Sequence, residues 1–302
     1  MSLRRVGAGT TPDSVSPDVP LSAGTAGAAG PSELADAAGM AGVAGLAAPA
    51  DAAGLAAPAR PGFRAAYREL AAAQKGAARS APAYSRYVNR RIGRVLAAWA
   101  ASVGLSPDQV TGVSALFTFA GVGLLAVGSP SWALGAAVCL CLVVGYAFDS
   151  ADGQVARLTG TGSAAGEWLD HVVDATKISA LPLALLVGLF RDGTVGDAWL
   201  LVPLAHAVVG AVLFFAMILT EQLRRAAGVR SQAAAGGRGP DVRALLVVPT
   251  DYGVLCLAFV LLGSMPWFLA VYTAIVAATA LFTAAACVKW RRDVRALEVR
   301  PA

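Results

Sequence analysis

The sequence predicts an all-α integral membrane protein: six transmembrane helices, preceded by a cytoplasmic juxtamembrane amphipathic helix and a disordered N-terminal arm. Three observations predict it. Only 14% of the 302 residues are charged, against about 25% in soluble domains, and mean hydropathy is +0.62. Apolar runs long enough to cross a bilayer recur from residue 105 onward, separated by short polar or Gly/Pro turns. Basic residues gather on one side of those runs, as topology signals do. The net charge of +5 therefore speaks for an anionic membrane surface, and no nucleic-acid partner is expected. Cys139, Cys141, Cys256 and Cys287 fall inside apolar runs with no CxxC spacing, so they read as buried small hydrophobes rather than metal ligands. No compact apolar stretch follows Arg4 and Arg5, so no cleavable signal peptide is expected.

Taken in order, residues 1–60 are mostly Ala, Gly and Pro, with AGLAAPA at both Ala44–Ala50 and Ala53–Ala59. Such a segment lacks large apolar side chains to bury and cannot offset its ordering entropy. It reads as a solvated cytoplasmic arm rather than a docking tail. Residues 61–104 change texture. Arg64, Arg68, Arg86, Arg90, Arg91 and Arg94 interleave with Tyr84, Tyr87, Val88, Ile92, Val95, Leu96 and Trp99 at helical spacing. That pattern predicts a basic amphipathic juxtamembrane helix on the anionic leaflet.

Residues 105–290 form the six-helix transmembrane domain. Ser106 caps the first span, with Pro107 at its first position and Asp108 in its first turn, and the apolar run is Val110–Val127. Gly128–Pro130 turns the chain and Trp132–Phe148 returns it. The apolar part of the third span, Ile178–Phe190, has 13 residues, too short for a hydrocarbon core of ~30 Å. Starting it near Glu167 gives roughly 36 Å and puts Asp170, Asp174 and Lys177 on the helix itself. Such charges face the bundle interior, because lipid-facing charges are costly. The fourth span is Ala198–Leu219, and its central His206 reads as a hydrogen-bonded core residue rather than a proton relay. Arg224, Arg225 and Arg243 follow in a polar loop; they either set topology or reach the mouth of the site. The fifth span, Leu245–Gly263, is interrupted by Pro249 and Asp251, so its strict part begins near Tyr252. Trp267–Val288 is the sixth, Trp290 anchors its end, and residues 291–302 are a basic cytoplasmic tail. With both ends cytoplasmic, Arg191 is the only one of 24 Lys and Arg residues in the far-side turns. The acidic stretch then faces the cytoplasm in a multi-pass cell-membrane protein.

That stretch holds the chemistry. Asp149 and Asp152 are three residues apart, Asp170 and Asp174 four, so each pair projects from one face of its helix. Four converging carboxylates repel unless cations sit between them, and hard divalent ions are the natural occupants. Gly153, Gly160, Gly162 and Gly166 read as a loop that lets backbone approach a ligand, with Arg157 as its cation. Metals, a permissive loop and a guanidinium describe a diphosphate site. The competing reading is an interfacial capping cluster, but Asp149 and Asp152 are placed at a helix C-terminus, where the dipole disfavours anions. Lys177, one turn beyond Asp174, is expected to balance the cluster. His171 points about 100° away from Asp170 and is not expected to be a ligand.

Asp149, Asp152, Gly153, Ala156, Arg157, Gly166, Asp170 and Asp174 fill the pattern Asp-x2-Asp-Gly-x2-Ala-Arg-x8-Gly-x3-Asp-x3-Asp. This resembles the signature of the CDP-alcohol phosphatidyltransferase family (class I), and the resemblance extends from about Ser85 to the C-terminus. It implies a transferase that moves a phosphatidyl or other substituted phosphate group from a CDP-alcohol, CDP-diacylglycerol foremost, to an acceptor alcohol. CMP is released, in phospholipid biosynthesis. It further implies two Mg²⁺ per site (or Mn²⁺) held by Asp149, Asp152, Asp170 and Asp174, with Asp174 also the catalytic base. Gly153, Ala156, Arg157 and Gly166 then belong to the substrate-binding set, with Ser163 placed for a phosphate hydrogen bond. Ser106–Thr111 resembles the family's segment opening the first span and would bring Asp108 and Thr111 near the nucleotide; Asp108 stands where Asn is frequent. A homodimer is implied as well. Three alternatives remain at this point: a transferase using a soluble CDP-polyol donor, a Mg²⁺-dependent membrane prenyltransferase, and a non-enzymatic transporter or scaffold with a cation site. In the prenyltransferases the two Asp motifs lie far apart in sequence.

Overall fold

The computed structural model describes residues 61–77, 84–229 and 250–298. The expectations for the arm at 1–60, for Arg243 and for the kink at Pro249 lie outside the described residues. Those residues are helical throughout their regular parts, with no strand among them. The elements are α1 (Phe63–Ala77), a π-helical turn (Ser85–Asn89), α2 (Arg90–Val103), α3 (Pro107–Val127), α4 (Trp132–Thr159) and α5 (Ala164–Asp192). After a 3₁₀ turn (Asp197–Leu200) come α6 (Leu201–Ala226), α7 (Tyr252–Ala258) with a 3₁₀ extension (Phe259–Gly263), and α8 (Met265–Glu298). Five helices are long and apolar enough to cross a membrane, among the described residues. The chain is a multi-pass membrane protein.

Local chemistry sets the helix starts. The Ser106 hydroxyl accepts from Gln109 N–H at 3.2 Å, and Gln109 Oε1 accepts from Ser106 N–H at 2.9 Å, a reciprocal cap ahead of Pro107. Ser131 caps α4 and Ser163 caps α5 by the one-way bond alone, each hydroxyl accepting a backbone N–H. Arg191, at the end of α5, donates to the Ala126 carbonyl at 2.8 Å, satisfying one of the orphaned acceptors at the end of α3.

Between helices, lipid gives no hydrophobic drive for association, so close packing of small residues has to supply it. Ser114 Oγ donates to the Gly145 carbonyl at 2.9 Å, and a side chain at Gly145 would run into Thr118. One at Gly188 would run into the Leu125 carbonyl. These contacts clamp α4 and α5 onto α3. Large apolar side chains such as Leu116, Phe190, Phe215, Trp267 and Leu281 point outward. The interior away from the acidic residues is filled by Leu142, Leu185, Leu189, Phe259, Phe268 and Tyr272.

The fold corrects three expectations. The juxtamembrane segment is two helices. Ala66 and Leu70 of α1 pack with Ala97, Ala98 and Ala100 of α2 and with Ala151 and Val155 of α4. The face of α2 turned to the protein is thus its small-residue face. Tyr87, Val88, Ile92, Val95 and Trp99, the stripe that marks it as amphipathic, are outward.

The second correction concerns α4. It does not end near Phe148 but runs to Thr159, closed by Gly160 in the left-handed region at φ 65°. Asp149, Asp152, Gly153, Ala156 and Arg157 therefore lie on the helix body, and Gly166 lies on α5. The loop is only Gly160 to Ser163. The helix-dipole argument against a capping role loses its premise, since Asp149 is more than two turns from the helix end.

The fifth apolar stretch starts its helix at Tyr252, as expected, behind an Asp251 cap. Its described part is the short helix Tyr252–Gly263, roughly 20 Å at ~1.5 Å per α residue and ~2 Å per 3₁₀ residue. At one end the Tyr252 ring meets Tyr146 edge-on at 5.1 Å. At the other, Gly263 lies on the Trp132 ring, and Gly135 lies under the Phe259 carbonyl. This element thus reaches from the acidic end of α4 back to its start.

Finally, α8 does not stop at Trp290. It continues to Glu298, with Asp293 on the extension paired to Arg224 at 3.4 Å.

Candidate active site

Two crossing helices build the site. Asp149 and Asp152 lie one turn apart on α4, and Asp170, Asp174 and Lys177 lie on successive turns of α5; all five are buried. A carboxylate oxygen from each of Asp149, Asp170 and Asp174 lies within 4.8 Å of the others. The compact set is three residues, not four. Asp152 is turned aside: its Oδ2 accepts from Thr111 Oγ1 at 2.7 Å, and its Oδ1 accepts from the Gly153 N–H.

Lys177 enters the same cluster. Its Nζ is 2.7 Å from Asp174 Oδ1 and also donates to Asp149 Oδ1. Asp170 has no such help. It is 5% exposed, and neither of its oxygens has a hydrogen-bond partner. An unpaired buried carboxylate is expensive and calls for a charge of the opposite sign. An orphaned carboxylate beside two others, all hard oxygen donors, fits a divalent cation such as Mg²⁺.

The remaining predicted residues surround this centre unevenly. Thr111 is brought to Asp152, and its hydroxyl also lies 3.2 Å from the Pro107 carbonyl. Asp108, Ser163 and Gly166 meet at the rim: a Cβ on Gly166 would lie 3.1 Å from Asp108 Oδ1 and 3.3 Å from Ser163 Oγ. The Ser163 hydroxyl accepts from Gly166 N–H at 3.0 Å, so its oxygen is engaged as a cap while its proton stays available to a ligand. Gly153 and Arg157 are four residues apart and share a face of α4; Gly153 is buried and Arg157 exposed. Ala156 is buried beside them.

A small cavity lined by Thr118, Tyr146, Tyr252 and Ile178 touches Asp149, Asp174 and Lys177. A second, larger cavity shares Ile178 and Tyr252 and extends to His206, Leu213 and Thr279. His206 Nδ1 is 2.7 Å from Tyr272 Oη, so it is a hydrogen-bonded core residue. His171 is 3.7 Å from Glu167 and edge-on to Phe214, away from the carboxylates. Arg225 pairs with Glu167 at 2.9 Å and Arg224 with Asp293, so both arginines are tied to neighbouring helices.

Thr118, Tyr146 and Tyr252 had no place in the sequence reading of the site. Each is a lone polar or aromatic group in an apolar run, and only its neighbours across the helix interface give it meaning. Compared with known protein families, residues 105–290 match CDP-alcohol phosphatidyltransferase. No curated protein matches the chain.

Proposed function

Because the chain belongs to the CDP-alcohol phosphatidyltransferase family, we propose that it transfers a phosphatidyl group from CDP-diacylglycerol to an acceptor alcohol, with release of CMP. Family membership makes it a membrane transferase with a CDP-alcohol donor and an alcohol acceptor. The finer assignment rests on one observation: the buried set Asp149, Asp170 and Asp174, with Asp170 unpartnered. Those residues together with Asp152 would hold two divalent cations, which would supply charge stabilisation for the diphosphate.

The chain's own residues do the rest. Asp174, on the cavity wall, takes the proton of the attacking acceptor hydroxyl, which needs a base within hydrogen-bond reach. Gly153 leaves room for the nucleotide, and the Arg157 guanidinium offers forked donors to phosphate oxygens. Thr111 holds Asp152, while Asp108, Ser163 and Gly166 form the rim over which the nucleotide sits. Burial under α3, α4 and α5 excludes water and so favours the alcohol as acceptor.

The same reading completes the topology. On this reading Tyr252–Gly263 belongs to a sixth membrane passage, both chain ends and the site are on the cytoplasmic side of the cell membrane, and the protein is a homodimer. The test is incubation of the purified protein with labelled CDP-diacylglycerol, Mg²⁺ and a panel of alcohols, scored by CMP and lipid product. Stoichiometric CMP and a new phosphodiester lipid are expected. CMP formed only from soluble CDP-polyols would reassign the donor, and no CMP from either would overturn the proposal.

A further inference from the structure

Lys177 stands among the carboxylates that fit a cation, yet nothing in the transfer reaction requires it. Its ammonium touches Asp149 and Asp174, two of the three residues of the compact acidic set. It is buried, on the same helix as Asp170 and Asp174 and one turn beyond the latter. In metal-free protein this arrangement has a clear physical reason. Three buried carboxylates this close repel, and an ammonium between two of them relieves the repulsion. A divalent cation drawn to the same oxygens meets a positive charge already in place. Two cations in contact in a poorly screened interior repel by more than either could offset by hydrogen bonding.

We propose that Lys177 is a tethered competitor for the metal: it holds Asp149 and Asp174 together when the site lacks a divalent ion and must swing away when one binds. The proposal rests on the reading of Asp149, Asp170 and Asp174 as a metal site. Three features carry it. The competing charge is covalently attached, so it cannot be diluted away. The four-carbon stem of lysine is flexible enough to retreat. The adjoining cavity is lined by Lys177 itself together with Tyr146 and Tyr252, and aromatic side chains are favourable neighbours for a cation. Asp170 is left without a partner by the ammonium, so one carboxylate of the set stays uncommitted and available to an ion. Apparent metal affinity is then the intrinsic affinity reduced by the fraction of time that Lys177 is withdrawn. The device keeps the acidic cluster from collapsing or splaying between turnovers, and it makes the metal exchangeable.

The experiment is a Mn²⁺ titration of the full-length protein in detergent, followed by electron paramagnetic resonance. Thermal unfolding is measured in parallel, in chelator and in Mn²⁺. Lys177→Met keeps the length of the side chain and removes the charge. It is expected to bind Mn²⁺ at least about tenfold more tightly than wild type, to unfold at a lower temperature in chelator, and to gain more from Mn²⁺. Lys177→Arg, which keeps the charge, is expected to stay near wild type in all three. If Lys177→Met does not fold without metal, Lys177→Gln carries the titration with the same expected tightening. A neutral variant that folds and binds Mn²⁺ no more tightly than wild type overturns the proposal. Asp170→Asn separates the two levels of the argument. If it binds Mn²⁺ as wild type does, the metal site itself is misassigned and the competitor role goes with it.

Discussion

Two charged clusters sit at the same end of this molecule and are built differently. On the periphery, Arg225 meets Glu167 at 2.9 Å and Arg224 meets Asp293 at 3.4 Å, each pair tying α6 to a neighbouring helix. In the interior, Asp149 and Asp174 share the Lys177 ammonium, and both oxygens of Asp170 beside them go unpartnered. The outer cluster matches charge with charge, each arginine facing a carboxylate on a neighbouring helix. The inner one carries an excess of buried negative charge that the fold does not satisfy. Matched pairs hold helices; an unmatched buried group is a structural cost retained for what it binds.

The contrast is broken most forcefully at Asp174. Asp174→Asn removes the base that receives the acceptor proton, and CMP release is expected to fall by about 10²–10⁴-fold while the helical circular dichroism signal stays intact. Turnover near wild type would remove Asp174 from the chemistry.

Asp170→Asn sharpens the comparison from the side of stability. Neutralising a buried carboxylate with no partner should stabilise the metal-free protein by about 1–3 kcal/mol, seen as a higher unfolding temperature in chelator, while activity and Mn²⁺ binding are lost. A variant that is less stable in chelator would mean that Asp170 already has a stabilising partner and that the inner cluster is not the unsatisfied one.

The smallest effect is expected outside. Arg225→Ala breaks a partly exposed pair worth less than about 1 kcal/mol, so a small drop in unfolding temperature and an acceptor KM close to wild type are expected. A large rise in KM would move Arg225 from the scaffold into the acceptor site.

The differences in legibility follow the same line. The helix cap at Ser106, the apolar runs and the aspartate spacings can be read because each depends on residues near one another along the chain. The end of α4 cannot. Polar residues after Phe148 suggest a boundary, yet the helix continues to Thr159, about three more turns, because Ala151 and Val155 pack against α2. The inward face of α2 is equally illegible. Its large apolar residues define the stripe, and its glycine and alanines define the contact. A side chain at Gly93 would lie only 2.8 Å from Ser150 Oγ, so the helices approach along the small residues. Asp152 illustrates the limit within the site, since its spacing pairs it with Asp149 while its side chain belongs to Thr111.

The sequence by itself determined the class of protein, the family pattern and the residues available for chemistry, because composition and spacing act along the chain. Only the tertiary structure decided how those residues divide their attention. It placed Lys177 between two carboxylates, left Asp170 bare and committed Arg224 and Arg225 to ion pairs. Those choices depend on the rotation and separation of neighbouring helices, which are set by small residues at their crossings and leave no periodic trace in the chain.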